Sequence, residues 1–149
     1  MAEPTDAVAK TASAKPAPGK AIPSPTDANR RFWEGCAAGV LRLRQCARCG
    51  KHFAPTRAAC TCGSTELTWV DVSGHGTVFS YAVAHRAPDP AFRAEIPYVI
   101  AVVELDEGAR LMSNIIGCAP ADVKVGMAVQ AVFEKVAEGV GVPKFQPVG

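Results

Sequence analysis

Four of the six cysteines fall in two close pairs, Cys46-x-x-Cys49 and Cys60-x-Cys62, with ten residues between the pairs. Thiolates are soft ligands. Two tight turns facing each other can set four of them tetrahedrally around one zinc ion. Gly50 and Gly63, each just after a pair, let the backbone fold back so that its amides face the sulfurs. Rubredoxin-type iron would use the same four ligands, and His52 stands near enough in sequence to replace one of them, because the second pair lacks the usual second spacer residue. A site closed by four protein sulfurs leaves no position for a reacting water, so the ion would be structural rather than catalytic. A thioredoxin-like redox pair would require a βαβ context, which the flanking sequence lacks. The two other cysteines, Cys36 and Cys118, read as small buried residues.

The elements that must hold these turns are strands. "LRLRQC" alternates Leu41 and Leu43 with Arg42 and Arg44, the period of a half-exposed strand running into the first pair. "STELTWVDVSG" alternates again after the second pair, with Leu67, Trp69 and Val72 as the buried positions. Strand, turn, loop, turn and strand is the layout of a zinc ribbon over residues 41–72. Ahead of it, residues 26–40 predict a short amphipathic helix capped by Thr26 or Asp27, with Phe32, Trp33 and Cys36 toward one face and a stop near Gly39. Residues 1–25 are Ala-, Pro- and Lys-rich with almost nothing to bury, and predict a disordered tail.

Beyond residue 73 the pattern remains β-rich. Runs at 76–85, 97–105, 109–117 and 128–136 are separated by Gly and Pro, and "LDEGAR" predicts a hairpin turn. Short strands with little helix predict a small barrel or sandwich over 73–149. The carboxylates Glu104, Asp106 and Glu107 fall at that hairpin and read as a solvated turn. His75 and His85 lie beside no nucleophile or carboxylate in a recognisable motif, so no catalytic residue is assigned. No glycine-rich phosphate loop is present.

Charge and composition exclude several partners. Sixteen basic against 14 acidic residues give a net charge of only +2, too weak a field to draw in nucleic acid or an anionic membrane by itself. No apolar run approaches the roughly eighteen residues of a spanning helix, and the first residues lack a secretory pattern, so a cytoplasmic protein is expected.

Taken in order, "FWEGCAAGVLRLRQCARCG", "PTRAACTCGS", "GHGTVFSYAVAH", "IPYVIAVVELDEGARLMSNIIG", "VKVGMAVQAVFE" and "PKFQPVG" closely resemble the family that joins a rubredoxin-like zinc ribbon to a C-terminal OB-fold. The likeness covers about residues 27–149. It implies a mainly β chain, with an N-terminal helix and ribbon followed by a small OB-fold barrel, and structural zinc on Cys46, Cys49, Cys60 and Cys62. The shortened second pair departs from the family's usual CxxC. Members of this family bind thiolase-like enzymes or MaoC-like enoyl-CoA hydratases and help to accommodate acyl-CoA. The resemblance therefore implies a noncatalytic subunit of a hetero-oligomer, with a thiolase-like partner ahead of a hydratase. Candidate contacts to the partner or to CoA are Phe32 and Trp33 on the helix, Arg86, Phe92 and Arg93 in the loop "HRAPDPAFRAEIP", and Phe145 near the end. Packing of Phe32 and Trp33 on the ribbon, and of Phe145 as a cap on the barrel, are the plainer alternatives.

An OB-fold beside a ribbon could instead bind single-stranded nucleic acid. Such binders interleave exposed aromatics with a basic groove. Here aromatics are only 7% of residues and the barrel strands are Val-, Ala- and Ile-rich, although Arg42, Arg44, Arg48, Lys51 and Arg57 make the ribbon basic.

Overall fold

The computed structural model describes residues 19–149; the first 18 residues of the expected tail lie outside the described residues. Helix α1 (Arg30–Ala37) leads into a three-stranded antiparallel sheet of β1 (Leu41–Cys46), β2 (His52–Phe53) and β3 (Leu67–Val72), in the order β2-β1-β3. Strands β4 (His75–Ala84), β5 (Tyr98–Leu105), β6 (Arg110–Ile115), β7 (Ala128–Ala137) and β8 (Val140–Pro147) close a barrel in the order β4-β5-β6-β8-β7. Two 3₁₀ helices, Pro90–Glu95 and Pro120–Asp122, interrupt the connections between strands.

The period-two reading survives in the burial. On β1 Leu41 and Leu43 are buried while Arg42 and Arg44 are partly exposed, and on β5 Val99, Ala101, Val103 and Leu105 point inward. The expected hairpin forms between β5 and β6, where the Leu105 N–H donates to the Ala109 carbonyl at 2.8 Å. On β3 the expected positions Leu67, Trp69 and Val72 are only half-buried; Trp69 and Val72 lie against the edge of the core cluster rather than inside it. The Arg44 guanidinium also stacks on Trp69, 4.7 Å from its ring centroid.

The helix begins later than expected. Its N-cap is Asn29, without a side-chain cap; the Asn29 carboxamide oxygen turns back to accept from the Thr26 N–H at 2.7 Å, so Thr26 and Asp27 belong to a preceding turn rather than to the cap. Strand β8 lies beyond the predicted runs, which end at residue 136, and it forms although Pro143 and Pro147 supply no N–H to a ladder. The barrel tolerates them since β8 pairs along its length with β7 and meets β6 at one position, Ile115 opposite Phe145. On that side Pro143 contributes its carbonyl, which accepts from the Ser113 hydroxyl at 2.7 Å.

One apolar cluster runs through helix, ribbon and barrel. It joins Phe32 and Cys36 of α1 and Leu41 and Leu43 of β1 to Val103, Val129, Phe133 and Phe145 of the barrel. The helix reaches this core because it lies almost on the backbone of β8 at Gly141: a Cβ there would stand 2.5 Å from the Ala37 nitrogen and 2.6 Å from the Cys36 oxygen. Backbone cannot yield as a flexible side chain can. Gly141→Ala is therefore expected to destabilise the fold by about 1–3 kcal/mol through overpacking, with amide exchange in α1 accelerated more than in β5; an unchanged denaturation midpoint would contradict this contact.

Candidate functional site

The first cysteine turn springs from the end of β1. Cys46 is paired with Leu67 on β3, and the Gly50 N–H donates to the Cys46 carbonyl at 2.9 Å, closing the turn that carries Cys49. The second turn is closed by the Gly63 N–H on the Cys60 carbonyl at 3.0 Å. Gly50 and Gly63 adopt φ of +77° and +88°, the left-handed region that side-chain-bearing residues avoid.

These turns bring all four sulfurs within 4.8 Å of one another. Cys46 Sγ lies 3.7 Å from Cys62 Sγ, and Cys49 Sγ lies 3.4 Å from Cys60 Sγ. A tetrahedral ion with sulfurs at about 2.3 Å separates its ligands by about 3.8 Å, so the four residues fit zinc. The missing spacer in Cys60-x-Cys62 does not break the site. The Cys62 N–H approaches Cys60 Sγ at 3.4 Å, and Thr61 turns outward to accept from Lys51 Nζ at 3.2 Å. His52 is not in the set: among the described residues the cluster comprises the four cysteines, and His52, on β2, pairs with Gln45 of β1.

Backbone amides prepare the sulfurs to be anionic. The Cys49 N–H holds the Cys46 thiol down at about 6 against the opposing effect of burial. The Cys62 N–H likewise lowers Cys60. Cys49 is favoured as a thiolate by the Lys51 N–H, yet the facing Cys60 sulfur and burial outweigh this and push it up to about 11. Four thiolates cannot stand together without a cation, and zinc supplies that charge together with the cross-link between the two turns. Outside the cluster, burial pushes Cys36 up to about 12, which makes it inert as a nucleophile.

The candidate contact residues are scattered. Phe32 is 6% exposed and Phe145 is 0% exposed; both belong to the core of this chain, and Phe145 fills the barrel. Trp33 is half-buried, edge-on to Phe32 at 4.9 Å between centroids. Its indole N–H is buried and has no partner among the described residues. Arg86 and Arg93 are exposed. Phe92 lies beneath Lys20, whose ammonium is 4.9 Å from the ring centroid and 2.7 Å from Glu95. Residues of the expected tail therefore reach the barrel: Lys20, Ala21 and Pro23 help line a cavity of about 300 Å³ with Phe92, Tyr98 and Asn114.

Sequence reasoning missed the outer face of β4–β6. Phe79, Ile100 and Met112 are 47%, 38% and 76% exposed, and Val102, which pairs with Met112, adds a half-buried neighbour. The signal was available in "YVIAVV", which is apolar at both parities where a one-sided strand alternates.

The fold and the four-sulfur centre define a class: a rubredoxin-like zinc ribbon joined to an OB-fold barrel. Profiles of the ribbon and the OB-fold of ChsH2 match residues 33–68 and 69–134, and the chain belongs to this family of DUF35 proteins. It is 43% identical over 105 residues to a DUF35 domain-containing scaffold protein of Methanocaldococcus jannaschii, covering 69% of this chain and 71% of the relative. It is 40% identical over 118 residues to a probable enoyl-CoA hydratase alpha subunit of Thermomonospora curvata, covering 78% of this chain but 36% of the relative. Among solved structures it superposes on a chain of the Ltp2-ChsH2(DUF35) aldolase with a TM-score of 0.73 at 37% identity, over 84% of this chain and 98% of that one. No described helix is long and apolar enough to cross a membrane.

Proposed function

We propose that this chain is a noncatalytic accessory subunit that binds an acyl-CoA enzyme and helps to shape its acyl-CoA site. The observation that carries the reading is the outward apolar face of Phe79, Ile100, Val102 and Met112 on a barrel whose interior is already filled. Contiguous exposed apolar surface on a filled fold fits a protein interface. Its chemistry suits a subunit contact better than a nucleic-acid groove: Arg110, the cation on this face, is paired with Glu104 at 2.8 Å and stacked 3.7 Å from the Phe79 ring centroid. The names of the relatives, a scaffold protein and an enoyl-CoA hydratase alpha subunit, point to the enzyme class.

A thiolase-like enzyme is the first partner, supplying the nucleophile and bases this chain lacks; a MaoC-like hydratase is the second. Cys46, Cys49, Cys60 and Cys62 hold the zinc. The working units are the helix (26–40), the ribbon (41–72) and the barrel (73–149), following a tail (1–25), in a cytoplasmic hetero-oligomer. Half-buried Trp33 and Phe92 and exposed Arg86 and Arg93 remain candidates for the rim of the interface.

Tagged full-length chain passed through the native host's extract is expected to retain a thiolase-like or hydratase enzyme in stoichiometric amount. Met112→Glu, which places a charge on the apolar face, should reduce that recovery by about tenfold or more while leaving the melting temperature unchanged. Retention of nucleic acid in place of an enzyme, or equal recovery with Met112→Glu, would refute this reading of the face.

A further inference from the structure

Ahead of the turn that leads into α1, residues 19–25 form neither helix nor strand and lie against the outside of the barrel. Among the described residues none of their backbone groups is hydrogen-bonded to the barrel. Side chains hold them instead, and they do so at the 3₁₀ helix Pro90–Glu95. Lys20 Nζ lies 2.7 Å from Glu95 Oε2 and 4.9 Å from the Phe92 ring centroid, and the Glu95 side chain is 40% exposed. A Cβ on Gly19 would rest 3.8 Å from that of Ala91. One ion pair to a partly exposed carboxylate and one cation–π contact make a weak fastening.

Beneath this strap the packing is incomplete. The cavity of about 300 Å³ has Phe92, Tyr98, Val136 and Val142 in its walls, yet from the strap only Lys20, Ala21 and Pro23 reach it. Ile22, the strap's largest apolar side chain, is 47% exposed. A segment serving as permanent cover would turn that side chain inward, because burial of apolar surface is what stabilises a packed element. The charges at the rim are already matched, Lys20 with Glu95 and Lys144 with Glu134 at 2.8 Å. What the cavity lacks is apolar contact.

The cavity also continues the apolar face of β5 and β6. With Val99, Ala101 and Val103 buried on β5, the period of two puts Tyr98, Ile100 and Val102 outward. Across the ladder Ile100 is opposite Asn114 and Val102 opposite Met112, so Tyr98 and Asn114 in the cavity wall extend the rows that hold Ile100 and Met112. We propose that residues 19–25 are a reversible autoinhibitory strap, latched by Lys20 on Glu95, which covers one end of the surface on which the acyl-CoA enzyme docks. The enzyme displaces the strap to reach Tyr98, Val136 and Val142, and gains there the apolar contact that the strap leaves unmade. This inference rests on the subunit reading given above. A closed strap lowers the apparent affinity for the enzyme in proportion to the fraction of chains that are open.

Nitrogen-15 relaxation of the full chain reads the latch without the enzyme. The amides of Ala21, Ile22 and Ser24 are expected to be ordered on the picosecond to nanosecond timescale in the parent and to gain mobility in Lys20→Glu, which sets two carboxylates against each other. Lys20→Glu combined with Glu95→Lys rebuilds the pair in reverse and should restore the order. Capture from the native host's extract, at limiting bait, reads the cover. Lys20→Glu is expected to raise enzyme recovery by about threefold or more, and the charge swap to return it to the parent's level. Adding Val136→Glu, a charge on the cavity wall, to Lys20→Glu should cancel the gain while the melting temperature holds. Unaltered mobility in Lys20→Glu would overturn the latch, and a released strap with recovery equal to or below the parent's would overturn the cover; both results leave the subunit reading standing. Retention of no enzyme by parent and variant alike refutes the subunit reading and the covered docking surface together, so the two failures are distinguishable.

Discussion

Replacing Cys46 with serine is expected to remove zinc from the purified chain and to unfold the ribbon. Cys46 is 1% exposed, sits at the last pairing of β1 with β3, and carries one of the four clustered sulfurs. A structural zinc centre contributes on the order of 10–16 kcal/mol of apparent binding free energy at neutral pH in isolated fingers. That exceeds the 5–15 kcal/mol by which a typical domain is stable over most of the range. The damage should spread, since Leu41 and Leu43 on the same strand belong to the core shared with the barrel. Metal analysis should fall from about one zinc per chain, the stoichiometry of a closed four-ligand site, to background, and amide exchange in β1–β3 should lose protection before that in β5. A metal-free Cys46→Ser protein that melts like the parent would sink the structural-zinc assignment.

Phe145→Ala is the other substitution with a large expected effect. Its side chain is wholly buried, faces Ala131 across β7, and occupies the single position at which β8 meets β6 to close the barrel. Truncating a buried phenylalanine costs about 3–5 kcal/mol through lost burial and the cavity left behind. For a chain of this size the midpoint should drop by roughly 10–15 °C. Thermal melting decides between the two roles the residue could have. A core residue lowers the midpoint; a docking residue would leave it unchanged and weaken only enzyme recovery.

Much of the architecture was legible because it depends on neighbours in sequence. Cysteine spacing placed the ribbon turns, alternation placed β1 and most barrel strands, and "LDEGAR" placed the hairpin. The helix start was misplaced because the capping rule weighs Thr26 and Asp27 by residue type, whereas the Asn29 side chain bonds backward to Thr26. Strand β8 lay beyond the predicted runs; its two prolines supply no ladder donor, which costs little where β8 meets β6 at a single position. Phe32 and Phe145 were offered as contacts because neither an apolar helix face nor a late aromatic carries a local sign of whether its own core or a partner covers it.

By itself the sequence determined the ligand chemistry, the two tight turns that present it, and the family of ribbon-plus-barrel proteins to which the chain belongs, since thiolate type, glycine position and side-chain period act over a few residues. Only the tertiary structure decided which apolar residues are covered and which remain outside, and that Lys20, Phe92 and Tyr98 line one cavity. Those outcomes depend on the closure of β6 on β8 and the approach of α1 to Gly141. Contacts between residues far apart in the chain are set by how whole elements pack, and no local pattern encodes them.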